Sequence, residues 1–457
     1  MPARFLAFAR LCDALAATTK KLEKRGLIAD ALRSMDTHDA ALTALYLAGM
    51  PFPESDRRNL NTGGSLLSKA LAEASHANRQ AMHNAYRRYG DLGSAAQELL
   101  GGHKQSGEPL TLEDVEVAFS AIAVARGPGA KLPILLDLLR RAEPVEAKYL
   151  IKLATGDMRT GVKQSLVEES IAEAYSAEIA TVRRAVMLQG DLQAVVIMAA
   201  EKQLAEARMK LFHPLGFMLA SPVESVKKAV ERFAEETGVS EAPLRRVNLE
   251  DKYDGIRAQL HCGDPAQPGR VELFSRNRED IGASFPELRE AFARISEPII
   301  LDGEILAWNP RDERALPFSA LQQRLGRKQV SAEMLEQTPV IYMAFDVLYR
   351  GSLMLERPLH QRRAQLEEVV SQHGPDTVAA GGGNQPLLFA ESAAPAFPRL
   401  KLAPAVHLQS EEQLERAYTE ARQRGNEGVM LKDVASSYQP GRRGLAWLKL
   451  KRELATL

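Results

Sequence analysis

Cysteine is nearly absent from this 457-residue chain, with Cys12 and Cys262 the only two. Two cysteines cannot build a disulfide framework or a four-cysteine zinc site, which points to a reducing compartment. Long apolar runs are also lacking. No stretch approaches the roughly 20 residues a membrane span needs, and Met1 to Lys21 merges into a helical pattern without a cleavage site. The expectation is a soluble, intracellular chain with no membrane partner. Net charge is zero, 59 basic against 59 acidic residues, with 27 against 25 in residues 1–210 and 32 against 34 in the remainder. Neither half has a global basic field, so a polyanion would have to be held by local patches such as Arg87–Arg88, Lys152 with Arg159 and Lys163, or Arg442–Arg443. Such patches are more often solvated faces. The glycine-rich stretch from His373-Gly374-Pro375 to Gly381-Gly382-Gly383-Asn384 lacks the Gly-Lys-Ser/Thr of a P-loop and reads as a surface loop.

A chain of this length is too long for one core and suits two or three domains. Residues 1 to about 210 are rich in alanine and leucine at helical spacing, as in Phe8, Leu11, Cys12 and Leu15, and contain no convincing alternating strand. This half reads all-helical. The helical spacing stops near Leu211-Phe212-His213-Pro214 to Ser221-Pro222, which places a boundary there. Later, Ser410 with Gln413 predicts a capping box, Leu414, Ala417, Tyr418 and Ala421 form an apolar stripe, and Gly425 ends that helix just before Glu427.

The second half carries charges on short apolar strands. Glu250-Asp251-Lys252-Tyr253-Asp254-Gly255-Ile256-Arg257 holds a K-x-D-G string after an apolar–polar alternation. A strand would hold Lys252 as a rigid nucleophile, and Gly255 would let the backbone approach a ligand. By itself such a string occurs by chance in roughly one chain of this length in ten. It is followed by Ser275-Arg276-Asn277-Arg278, by Ile299-Ile300-Leu301-Asp302-Gly303-Glu304-Ile305-Leu306, by Met343-Ala344-Phe345-Asp346-Val347-Leu348, by Asn426-Glu427-Gly428-Val429-Met430-Leu431-Lys432, and by Trp447-Leu448-Lys449-Leu450-Lys451. Asp302 and Glu304 interrupt an apolar strand, which disfavours a surface turn. Lys449 and Lys451 alternate onto one face, where they repel unless an anion lies between them. A lysine of ordinary pKa, about 10.4, is protonated at neutral pH, so Lys252 attacks only if cationic neighbours or a metal favour its neutral form.

These motifs, in this order over roughly residues 212 to 452, resemble the covalent nucleotidyltransferase superfamily and, within it, the ATP-dependent DNA ligases. The resemblance implies a multi-domain protein. An all-α N-terminal DNA-binding domain, 1–210, would precede an α+β nucleotidyltransferase domain, 211–457, an ATP-grasp-like adenylation domain with antiparallel sheets. It implies ATP and Mg²⁺ as cofactors and nicked duplex DNA as partner. Lys252 would take AMP from ATP, pass it to the 5′-phosphate of a nick, and the 3′-hydroxyl would displace it. Glu304 and Glu427 would hold Mg²⁺, Glu250 would read the adenine amine, and Arg257 and Arg276 would meet the nucleotide or nick phosphate. Lys432 would meet phosphate or ribose, and Lys449 and Lys451 the α-phosphate. Phe345 would stack on adenine, although a core aromatic on a strand is about as frequent a reading. In the helical half, Tyr149 to Val162 resembles the family's duplex-contacting segment, with Gly156 and Gly161 baring amides and Arg159 supplying charge. A helix C-cap followed by a turn is the structural alternative.

The chain departs from the pattern in two places. Gly216-Phe217 stands where the family usually has Lys-Pro. The chain also stops six residues after Lys451, where the family continues into a small OB-fold domain that closes over ATP and nick, so impaired self-adenylation and weak sealing are expected. A monomer is expected, with a separate partner supplying that domain an open option; a protein that holds nicks or ends without sealing them, its catalytic pocket incomplete, is a second reading. An RNA ligase or mRNA-capping guanylyltransferase is a third reading. NAD⁺-dependent ligation is disfavoured by the missing zinc cysteines. In a bacterium the cytoplasmic protein would be nucleoid-associated.

Overall fold

The computed structural model describes residues 3–103, 105–238, 243–327, 329–377 and 397–451. The cluster Gly381 to Asn384, read above as a surface loop, lies outside them. The chain forms two compact units, Met1–His213 and Pro214–Leu457.

In the first unit helices account for the regular structure, and among the described residues the ladder is limited to an isolated bridge between Arg4 and Thr111. The opening helix, Phe5–Ala17, buries Phe5, Phe8, Ala9, Cys12 and Leu15 on one stripe. Burying such a Phe or Leu contributes about 1.5–3 kcal/mol each. Local signals set the helix ends. Asp36 caps Thr37–Leu47, Thr111 with Asp114 forms a capping box, and Pro144 opens Pro144–Thr155. Two lysines of this unit are buried against backbone carbonyls. Lys24 Nζ donates to the Thr160 carbonyl at 2.5 Å, and Lys131 Nζ donates to the Leu60 carbonyl at 2.5 Å.

The second unit is α+β. Its strands are β1 (Leu219–Val223), β2 (Val247–Lys252), β3 (Ile256–Cys262), β4 (Glu272–Ser275), β5 (Ile299–Asn309), β6 (Arg314–Ala315), β7 (Val340–Arg350), β8 (Ser352–Leu353), β9 (Leu400–Leu402), β10 (Ala405–His407), β11 (Gly428–Asp433) and β12 (Arg443–Leu450). One sheet runs β1-β12-β11-β2-β10, and the other runs β4-β3-β5-β7-β8 with β6 beside β5 and β9 beside β7. The expectation of antiparallel sheets needs one correction. β1 pairs with β12, and β7 with β9, in parallel. A parallel pair needs a long crossover, and both have one: most of the unit separates β1 from β12, and the helix Leu359–His373 lies between β7 and β9.

Each sheet has its own core. The first packs Val247, Leu249, Val429, Leu431 and Leu448 against Phe233, Leu414, Tyr418 and Ala421 of the helices Val226–Thr237 and Glu411–Gln423. The second packs Leu260, Leu301, Ile305 and Tyr342 against Phe285, Leu288, Phe292 and Leu366. Both cores use one face of each sheet, which leaves the opposite faces to carry charge.

Candidate active site

β2 delivers Lys252 at its last position, and β3 begins at Ile256 after a three-residue turn. The expectation that Gly255 admits a ligand is corrected: a Cβ there would lie 2.5 Å from the Ile305 carbonyl and 2.6 Å from Leu306 Cδ2, so the glycine accommodates the close approach of β5. Lys252 lines a cavity of about 210 Å³ together with Glu250, Arg257, Arg276, Glu304, Phe345, Lys432 and Lys449. Residues from both sheets form its walls. A larger groove of about 1210 Å³ lies on the Asp251 and Tyr253 side, but Lys252 and Glu304, which line the smaller cavity, do not line it. The chemistry therefore belongs to the smaller cavity.

The Lys252 ammonium donates to the Glu427 carboxylate, and the Lys252 carbonyl accepts the Glu427 N–H at 2.9 Å. Burial lowers the Lys252 pKa; Glu304 opposes that shift, while Lys451 and Lys449 reinforce it. The sequence argument put cations and metal first, but desolvation of the ammonium leads. Lys449 is itself lowered, by burial and then by Arg443, Arg276 and Lys451. Lys451 is exposed, with Nζ 3.3 Å from Glu427 Oε1. The two alternating lysines do converge on one region, and Glu427 is an anion that meets one of them.

β5 carries the other carboxylates. Glu304 is pushed up to about 8 by burial, with Arg257 and Lys252 pulling down and Asp302 and Asp254 pushing further up. Asp302 is fully buried and accepts from Arg257 Nε at 3.1 Å and Nη2 at 2.7 Å, and from the Tyr438 hydroxyl at 2.7 Å. Burial would lower the Arg257 pKa, but the Asp302 charge outweighs it and the net shift is upward. Arg257 was expected to meet a phosphate. Its Nε and Nη2 are instead committed to Asp302, because a buried guanidinium needs a counter-charge. Its carbon centre lies 5.1 Å from the Phe217 ring centroid, 5.4 Å from Phe345 and 5.9 Å from Trp447. Phe217, one of the two residues that depart from the family pattern, thus forms part of the wall behind the site.

Glu250 and Lys432 were assigned separate roles, but they pair directly, with Lys432 Nζ 2.7 Å from Glu250 Oε2 and both side chains buried. Strand pairing explains this, since Met430 lies opposite Glu250 on adjacent strands and Lys432 is two residues along the same face. The Lys432 ammonium also sits 4.3 Å from the Phe345 centroid and 4.5 Å from that of Trp447. Phe345 is half-buried on the cavity wall and packs beside Leu306, Ile341 and Met343, so it is both wall and core. Arg276, just after β4, lines the cavity with Arg443 and Lys449 as a cationic side.

Sequence reasoning overlooked Trp447, Tyr438 and the cavity role of Arg443. Trp447 stood in a quoted motif, and Arg443 in a patch assigned to the duplex. Tyr438 left no signal, because its partner Asp302 is 136 residues away.

In the helical unit the turn after Pro144–Thr155 is a helix cap. The Gly156 N–H donates to the Leu153 and Lys152 carbonyls and is not bared, so the structural alternative holds for Gly156. Gly161 adopts φ +68°, and a Cβ there would lie 2.7 Å from Lys24 Nζ. Arg159 is exposed and pairs with Asp157 at 2.8 Å and Asp91 at 3.7 Å. Lys152 is buried, 3.4 Å from Asp91, and its pKa is lowered by burial, so it is not a phosphate clamp. A cavity of about 410 Å³ opens beside Arg159 and the start of the helix Gly64–Ser75.

Residues 217–451 match the family model described as the ATP dependent DNA ligase domain, and residues 4–172 match the DNA ligase N terminus. The chain is 46% identical to a probable DNA ligase of Koribacter versatilis over 98% of its own length and 75% of the relative's. It is 39% identical to a probable DNA ligase of Opitutus terrae, matching along the whole chain and 50% of the relative. A DNA ligase of Archaeoglobus fulgidus is 32% identical over 99% of the chain and 76% of the relative.

Proposed function

The chain belongs to the ATP-dependent DNA ligases, and on that premise we propose that Lys252 is the nucleophile through which it seals nicks in duplex DNA. The single observation that carries this assignment is the setting of Lys252. It is a half-buried lysine of lowered pKa, inside a cavity walled by both sheets, with carboxylates on one side and cations on the other. In the first step Lys252 loses a proton, its Nζ bonds to the α-phosphorus of ATP, and the bond from that phosphorus to the bridging oxygen breaks to release pyrophosphate. The AMP then passes to the 5′-phosphate of a nick, and the 3′-hydroxyl displaces it to close the strand.

The chain's own residues do the positioning. Lys449, Arg276 and Arg443 neutralise the phosphates where charge builds up. Phe345 and Trp447 give the base an aromatic wall, and Glu250 lies close enough to meet its exocyclic amine once Lys432 shares it. Glu304 and Glu427 fit a divalent cation: both carboxylates act on Lys252, and Mg²⁺ is normally held by one or two carboxylates plus substrate phosphates and water. Among the described residues no cluster of three or more His, Cys, Asp or Glu competes as a metal site. A bound cation supplies charge neutralisation at the reacting phosphate. Lys252 and Glu427 are paired with each other, so the amine attacks only when that pair opens.

The test is transfer of label from α-labelled ATP to the full chain with Mg²⁺, beside Lys252→Ala and beside GTP and NAD⁺. Acid-labile label from ATP alone, abolished in Lys252→Ala, is expected. Equal labelling of the variant, or preference for GTP, would sink the assignment.

A further inference from the structure

Asp251 precedes the nucleophile on β2, and its side chain takes the opposite side of the strand from Lys252. Its carboxylate accepts three hydrogen bonds: Arg424 Nε at 2.9 Å, Arg424 Nη2 at 2.7 Å and Asn426 Nδ2 at 2.8 Å. Both partners lie within three residues of Glu427, on the loop that leaves the helix Glu411–Gln423 and enters β11. The same loop is held at further points, among them the Asn426 N–H, which donates to the Ala421 carbonyl at 3.0 Å. Arg422 Nη1 donates to the Asn426 carbonyl at 2.9 Å, and the Glu427 N–H donates to the Lys252 carbonyl at 2.9 Å.

We propose that Asp251, gripping Arg424 and Asn426, is a positioning residue that fixes the Glu427 carboxylate against the Lys252 amine. Glu427 lies at the strand entrance and not within the ladder. Backbone pairing begins at Gly428, opposite Lys252, and the residue before it has a single backbone bond to β2. Apart from its own contacts with Lys252 and Lys451, the Glu427 carboxylate is aimed only by how the residues before it are held. A bidentate arginine–carboxylate contact and a buried amide hold the preceding residues in a fixed direction. Asn426 is buried, so its amide has little alternative to Asp251, whereas Arg424 is half-exposed and closes the clamp from outside. The clamp also occupies the carboxylate nearest in sequence to the nucleophile, keeping it directed away from the amine.

This inference rests on the assignment of Lys252 and Glu427 above. The experiment is single-turnover formation of lysyl-AMP by the full chain from α-labelled ATP, read against Mg²⁺ concentration, for the parent, Asp251→Ala, Asp251→Glu and Arg424→Ala. Asp251→Ala should lower the rate on the order of tenfold, as loss of close positioning does, and raise the half-saturating Mg²⁺ severalfold. Arg424→Ala, at a half-exposed site and safe for folding, should show a smaller change of the same kind, and Asp251→Glu a partial recovery. Unchanged rate and unchanged Mg²⁺ dependence would overturn the proposal. So would a rate that falls only with the folded fraction, the half-saturating Mg²⁺ staying at the parental value. If the parent takes no label, or Lys252→Ala takes as much, the assignment of the nucleophile fails first, and the two failures are distinguishable.

Discussion

The two units use buried charge in different ways. In the helical unit the buried ammonium groups of Lys24 and Lys131 are spent on backbone carbonyls and fix loops, while Arg159 stays outside with surface carboxylates. In the catalytic unit, buried or half-buried ions meet other ions on neighbouring strands of one sheet: Lys252 with Glu427 and Lys432 with Glu250 in the first, and Arg257 with Asp302 in the second. A buried lysine on a carbonyl is a fastener. A set of buried ions that face each other shifts pKa values in ways that suit proton and phosphoryl chemistry. Lys152 beside Asp91 is a buried ion pair of the helical unit too, so what separates Lys24 and Lys131 from the catalytic ions is the partner and not the unit.

The largest way to test that contrast is Asp302→Ala. It strips the counter-charge from Arg257 and a partner from the Tyr438 hydroxyl, and it should cost about 3–5 kcal/mol in urea unfolding of the catalytic unit. A loss below about 1 kcal/mol would mean the ion network is not structurally important. Next is the pH dependence of lysine adenylation. Burial holds the Glu304 carboxyl up at about 8 and it is mostly protonated below that pH, so the rate should climb as pH rises through about 8. In Glu304→Gln the overall rate should drop and the limb near 8 should vanish. An unchanged limb would assign it to another group.

Two changes in the helical unit should leave lysine adenylation alone. Lys24→Met unfastens Thr160 and should weaken nicked-duplex binding severalfold, measured by fluorescence anisotropy, with label uptake from ATP unchanged. Arg159→Ala should have the smallest effect: a modest, sequence-independent loss of duplex affinity and a salt slope shallower by about one. If either variant slowed lysine adenylation, the division of labour between the units would be wrong.

How much was legible in the sequence follows the same contrast. Strands that carried their own chemistry could be read directly, because an apolar run interrupted by Lys252, Glu304 or Glu427 marks both the element and the buried ion. The helix ending before Glu427 was equally legible. Ser410 accepts the Gln413 N–H at 3.2 Å and Leu414, Tyr418 and Ala421 are buried, although the Gln413 side chain reaches back to the Gln409 N–H and not to that of Ser410. Pairing between strands was not legible. Glu250 meets Lys432, and Asp302 meets Arg257, only because of sheet order and register, and Tyr438 reaches Asp302 from the connection between β11 and β12. Gly156 shows the opposite limit: its cap was written locally in the sequence, but the resemblance drew the reading toward a bared amide.

The most direct test of the central claim is to locate the nucleotide. The full chain would be incubated with ATP and Mg²⁺, digested under conditions that preserve the phosphoramidate, and the AMP-bearing peptide sequenced by mass spectrometry. AMP on Lys252 is the predicted result. AMP on Lys432, Lys449 or Lys451 with Lys252 unmodified would contradict the account.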